Sequence, residues 1–171
     1  MKKALWIGFV WVVVGLMLVL PTFAQDDAQP EVEVFPISGT IIYSPPELLS
    51  LLVIDGETYA DVTDVGEWAG DIVGTESNNY RAMFEASGAG TAPVLAEIEG
   101  TVLGEYEGSM VVWSQWKRVS ETSEWHAEWW ILSGTGDLAN VFGRGFIWGP
   151  GESGLDYEYS GTVFFAPPAE E

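Results

Sequence analysis

From residue 37 onward the chain is written largely in a period of two. Apolar and polar residues take turns, and no heptad pattern appears. Such alternation sets one face of an extended strand in a core and the other in water. Residues 37–43 read as a first strand, stopped by Pro45 and Pro46. Residues 47–54 are almost wholly apolar and fit either a short helix or a strand, and Asp55-Gly56 after them favours a hairpin. Residues 58–65 and 67–75 read as two strands, Asn78-Asn79 as a turn, 80–86 as the return, and 87–93 as a loop of small residues. Strands over 94–102, 105–119, 125–132, 144–148 and 155–165 follow, with a turn at 120–123. About eight short strands at near-regular spacing predict an all-β sandwich or barrel.

The alternation also predicts which side chains point inward. Tyr106, Gly108, Met110, Val112, Ser114 and Trp116 share one face, against Glu105, Glu107, Ser109, Gln115 and Lys117, although Val111 and Trp113 intrude on the polar side. Trp125, Ala127, Trp129 and Ile131 oppose His126 and Glu128, and Leu155, Tyr157, Tyr159, Gly161, Val163 and Phe165 oppose Asp156, Glu158, Ser160 and Thr162. Wide aromatics sharing a face with Gly108, Ala127 and Gly161 suit a narrow interior, so the expected fold is a single closed or nearly closed antiparallel β-barrel. One short helical turn is expected near 137–141. Ser133 to Gly136 break the strand before it, and Asp137 can cap the turn by accepting a backbone N–H. At least one of Gly134, Gly136, Gly143 and Gly145 should have positive φ. The spaced glycines 70, 74, 100, 104 and 108 lie among polar residues and read as bends or bulges.

The ends differ from the body. Lys2 and Lys3, an uncharged run over 4–20, Pro21, and Thr22-Phe23-Ala24 together read as a signal peptide of residues 1–24. An uncleaved anchor is the alternative, because the run nears the length of a membrane span. Residues 25–36 form an acidic leader, 37–165 the barrel domain, and 166–171 a tail. The expected location is secreted or extracytoplasmic, with no stable membrane association after cleavage. The chain carries 26 acidic and six basic residues. Removing 1–24 takes away two basic residues and no acid, leaving 4 − 26 = −22. Such a surface repels nucleic acid and anionic lipid. There is no cysteine, so neither disulfides nor thiolate metal sites can form.

Catalytic chemistry is sparsely represented. His126 is the only histidine and falls on a polar strand face, no G-x-S-x-G elbow occurs, and zinc lacks ligands. No cofactor-binding or phosphate-cradling motif is present. Carboxylates are plentiful, and Glu76 and Glu85 stand out because each shares a face with apolar residues, where its pKa would rise. Glu152, Asp156 and Glu158 cluster without forming an EF-hand loop. Trp116, Trp125 and Trp129 fall on inward faces, and Trp113, Trp130 and Trp148 on outward ones.

Three segments together resemble the bacterial DUF3224 family. They are Gly66-Glu67-Trp68-Ala69-Gly70-Asp71-Ile72-Val73-Gly74-Thr75, Glu99-Gly100-Thr101-Val102-Leu103-Gly104, and the glycine turn from Ser133 to Gly145. The closing Leu155-Asp156-Tyr157-Glu158-Tyr159 fits the family's last strand, and the resemblance covers residues 37–165. It implies an allene oxide cyclase-like barrel, related to the lipocalins, and no particular reaction. The tryptophan-rich stretch 113–130 and the signal peptide depart from the family pattern.

The function expected from these readings is binding of a small apolar or amphipathic molecule without catalysis. Trp68, Tyr106, Met110, Trp116, Trp129, Tyr157 and Tyr159 are the expected lining of a cavity at one barrel mouth. A carbohydrate- or protein-binding module using outward tryptophans is the first alternative, and a cyclase- or isomerase-type enzyme using barrel carboxylates the second. The sequence does not fix an oligomeric state.

Overall fold

A computed structural model describes residues 32–149 and 155–167. The expected signal peptide, most of the leader, Glu152 and the end of the tail lie outside the described residues. Nine antiparallel strands follow in order: β1 (Val34–Tyr43), β2 (Glu47–Ile54), β3 (Glu57–Gly70), β4 (Ile72–Phe84), β5 (Gly90–Val102), β6 (Tyr106–Arg118), β7 (Trp125–Gly134), β8 (Val141–Trp148) and β9 (Asp156–Phe165). Neighbours run β1-β9-β8-β7-β6-β5-β4-β3-β2, and β1 also pairs with β3. That extra ladder closes eight strands into a barrel and leaves β2 outside it.

The closure depends on β3 serving two partners along one edge, while β4 holds the other. The first half of β3, residues 57–63, pairs with β2, and its second half, Gly66 to Gly70, pairs with Tyr43 to Gly39 of β1. The chain stays extended through Gly66, where a break between two strands was expected. A side chain there would strike Tyr43 and Glu76, whose atoms would lie 2.8 Å and 2.6 Å from its Cβ. The reversal comes instead at Gly70, whose φ of +119° only glycine adopts cheaply. As a result β4 runs unbroken through Asn78-Asn79, so that pair forms no turn.

Other boundaries shift for similar reasons. β5 starts at Gly90, inside the expected loop, and continues through Pro93. The ladder between β4 and β5 is interrupted at that level. Residues 72–77 pair with 102–97 and 83–84 with 91–90, with no pairs between. Continuing this register would set Pro93 opposite Arg81, and proline has no N–H to donate there. β1 extends back to Val34 by pairing with Phe164, and β8 starts at Val141 by pairing with Phe165. The short helix is a 3-10 turn, Gly136–Leu138. Its N-cap is Thr135, which makes no side-chain cap bond, rather than Asp137. The Asp137 carboxylate accepts from the Glu107 backbone N–H instead, at 3.4 Å. Gly136 supplies the positive φ, +62°, because a left-handed residue is needed to enter the turn.

The expected inward faces form the core. Met110, Val112, Ser114 and Trp116 of β6 are buried, as are Ala127, Trp129 and Ile131 of β7 and Tyr159 and Val163 of β9. The interior is packed tightly at the end holding Ile72, Val102, Met110 and Leu138. No helix among the described residues is long and apolar enough to cross a membrane.

Candidate functional site

The other end of the barrel is hollow. A cavity of about 360 Å³ opens where β1, β4 and β6 finish and β3, β5, β7 and β9 begin. Its walls divide by chemistry. Val62, Ala82, Phe84, Ala92, Val94 and Trp125 form an apolar side, and Pro46 and Leu155 stand at the rim. Tyr43, Trp116 and Tyr157 form a second group whose rings meet edge-on in pairs, with centroids 6.0, 5.4 and 5.2 Å apart. Edge-to-face contact of this kind fixes the rings without filling the space between the strands. The Trp116 indole N–H is held by Ser114 Oγ at 3.0 Å.

Asp64, Asn78 and Tyr80 supply the polar side. Alternation places them there, because even-numbered residues of β3 and β4 point inward, as the buried Ala60, Trp68, Ile72 and Ala82 show. Asn78 is only 3% exposed. Its Nδ2 donates to Asp64 Oδ1 at 2.9 Å and to Glu76 Oε1 at 3.1 Å. Two carboxylate neighbours both require donors, which fixes the amide's orientation. Tyr80 donates its hydroxyl to Asp64 Oδ2 at 3.0 Å. Asn78 Oδ1 is left buried with no partner, a costly condition for an acceptor.

Glu76 lies behind this wall, 4% exposed, and does not itself line the cavity. It is hydrogen-bonded by Tyr43, and the Trp68 indole N–H lies beside it without closing a full hydrogen bond. Burial raises the Glu76 pKa, more than its hydrogen bonds lower it. Burial likewise raises that of Asp64, opposed by Asn78 and Tyr80. Tyr43, Tyr80 and Tyr157 are all pushed up, by burial first and by nearby carboxylates second.

Of the seven residues expected to line the cavity, Trp116 and Tyr157 do so. Trp68, Met110, Trp129 and Tyr159 are buried in the packed part of the barrel, and Tyr106 lies against Phe165 with ring centroids 4.1 Å apart. The Tyr159 hydroxyl is spent on the barrel itself. It accepts from the Ile72 N–H at 2.8 Å and donates to the Ile72 carbonyl at 3.3 Å, and burial pushes its pKa up to about 12. Glu85 is exposed, as is His126. Sequence reasoning missed Asp64, Asn78 and Tyr80. The parity running from Ile72 to Ala82 was the signal that could have found them.

The outer face carries a different feature. Trp113 and Trp130 face each other across β6 and β7, with ring centroids 5.1 Å apart at 35°. Beside them runs an open groove touched by Pro36, Trp130, Arg144 and Phe146. Trp148, at the end of β8, donates its indole N–H to Glu158 Oε2 at 3.1 Å.

No protein-family model matches the chain, and no curated protein does. Among solved structures, the chain is similar to a DUF3224-family protein of unknown function from Shewanella oneidensis MR-1. The TM-score is 0.63 at 16% identity, and the match covers 79% of this chain and 99% of that one. The chain therefore has the fold of a DUF3224 protein, a closed antiparallel β-barrel of eight strands, here with one strand added outside it.

Proposed function

We propose that the protein binds a small apolar or amphipathic molecule in the mouth of its barrel and performs no chemistry on it. The observation that carries this reading is the cavity of about 360 Å³, aromatic and aliphatic on most sides, with its polar groups gathered on one. That division suits a ligand with an apolar body and one polar end. The carboxylates support recognition over acid–base catalysis. Glu76 stands outside the cavity wall, and each Asp64 oxygen already accepts a hydrogen bond. An environment-sensitive hydrophobic dye should bind the folded protein, and Trp116→Ala should weaken it severalfold. Leu51→Lys, on the exposed strand β2, should leave dye affinity unchanged. Equal affinity for the Trp116→Ala variant and the parent would end the reading.

The outward aromatics support a second reading, a carbohydrate- or protein-binding face. The Trp113–Trp130 pair and the adjoining groove favour it. A glycan array on which Trp130→Ala abolishes retention would select it over the cavity.

We further read the chain as an exported relative of the DUF3224 barrels, its residues 1–24 removed as a signal peptide. N-terminal sequencing of exported protein should begin at Gln25. Material that keeps Met1 in the membrane fraction would mean an anchor.

A further inference from the structure

The one charged group on the cavity's polar side is an acceptor, beside the Ser44 and Tyr157 hydroxyls. Asp64 presents a carboxylate, and Asn78 beside it keeps its carbonyl oxygen buried. The amide N–H groups that could have served a ligand are consumed by Asp64 and Glu76. The Tyr80 hydroxyl is consumed by Asp64, and that of Tyr43 by Glu76. No lysine, arginine or histidine is among the described residues lining the space. Around the carboxylate stand the rings of Tyr43, Tyr80, Trp116 and Tyr157, whose faces attract positive charge.

We infer that the occupant of this cavity is a cationic amphipath, an organic ammonium whose charged end meets Asp64 and the aromatic rings while its hydrocarbon end lies against Val62, Ala82, Phe84 and Val94. The inference rests on the binding reading above and narrows it to one ligand class. A fatty carboxylate finds only the Ser44 and Tyr157 hydroxyls as donors here, and it meets the Asp64 carboxylate. The acidic chain, with a formal charge of −20, adds a field that concentrates cations at its surface and repels anions.

Calorimetry with three ligands of one chain length tests this on the unaltered protein, at one pH and ionic strength. The ligands are octylammonium, 1-octanol and octanoate. Octylammonium should bind about tenfold or more tighter than 1-octanol, the factor expected for one well-placed charged contact in a partly dry site. Octanoate should bind more weakly than either. Asp64→Asn, once circular dichroism shows the parent's fold, should bring octylammonium to within about twofold of 1-octanol. Equal binding of octylammonium and 1-octanol to the parent would overturn the charge selection while leaving an apolar site in place. Tightest binding of octanoate would overturn it likewise. If none of the three binds, the cavity reading fails and this inference falls with it.

Discussion

Trp129 has 0% of its surface exposed, and its ring passes over two strands that carry no side chain beneath it. A Cβ placed on Gly145 or Gly161 would lie 2.7 Å from Trp129 Cζ2. The largest fully buried side chain thus fits only because two neighbours are the smallest. Trp129→Ala should cost about 3–5 kcal/mol in urea denaturation, and a loss under about 1 kcal/mol would place the ring at the surface. Gly161→Ala should cost about 1–3 kcal/mol by overpacking the same spot from the other side. Glu76 and Asp64 make a different residue-scale statement. Burial holds both above the ordinary carboxylate range, so the folded state keeps protons that the unfolded chain releases. Their contribution is therefore most favourable at pH below about 4, the unfolded value, and declines as pH rises toward the folded pKa values. Glu76→Gln should flatten that decline in a series of denaturation midpoints against pH. An identical profile would show that Glu76 is not held protonated.

At the scale of elements, alternation carried most of the information. β6, β7 and β9 place the expected residues inward, because in each strand tryptophan, tyrosine or aliphatic residues recur every second position against a face that carries most of the polar residues. β4 was harder to read. Its inward row runs Ile72, Gly74, Glu76, Asn78, Tyr80, Ala82, so its middle is polar on the buried side, and Asn78-Asn79 carries the composition of a turn. Polar residues turned toward a cavity inside a barrel break the very pattern that announces the barrel, and this is why the fold was legible while the cavity's polar side was not. β2 shows the reverse failure. All eight of its residues are exposed although six are leucine, valine or isoleucine, because the strand pairs only with β3 and lies outside the closed wall. Apolar composition there reports an uncovered edge, the kind of edge that invites association. Leu51→Lys should change unfolding free energy by less than about 0.5 kcal/mol while lowering aggregation in light scattering. A larger loss would mean that Leu51 is packed against something.

Over the whole molecule, the barrel is unequally filled. One end is closed by Trp68, Ile72, Met110, Leu138 and Tyr159, so rigidity resides there, and the other keeps its space because Ala82, Ala92 and Val94 are too small to fill it. The seven aromatic and methionine residues expected to line the cavity are divided between these two ends. The sequence pattern gives inward or outward; it does not give height along the barrel axis, which follows from the register between strands. Two-residue alternation is blind to that register until the ladders are seen.

The interrupted ladder between β4 and β5 stands beside the cavity, since Asn78, Tyr80, Ala82, Ala92 and Val94 belong to it. Its consequence is kinetic. Amides facing that gap should exchange with deuterium through local fluctuation, in minutes, while those between β6 and β7 wait for global unfolding. On the binding reading proposed above, a wall that breathes at one seam sets how fast an occupant comes and goes without setting how tightly it is held. Pro93→Val restores a donor at the gap and should slow both arrival and departure of the dye in stopped-flow traces, leaving their ratio nearly unchanged. The residence time of whatever the barrel holds would then be governed by one proline in its side.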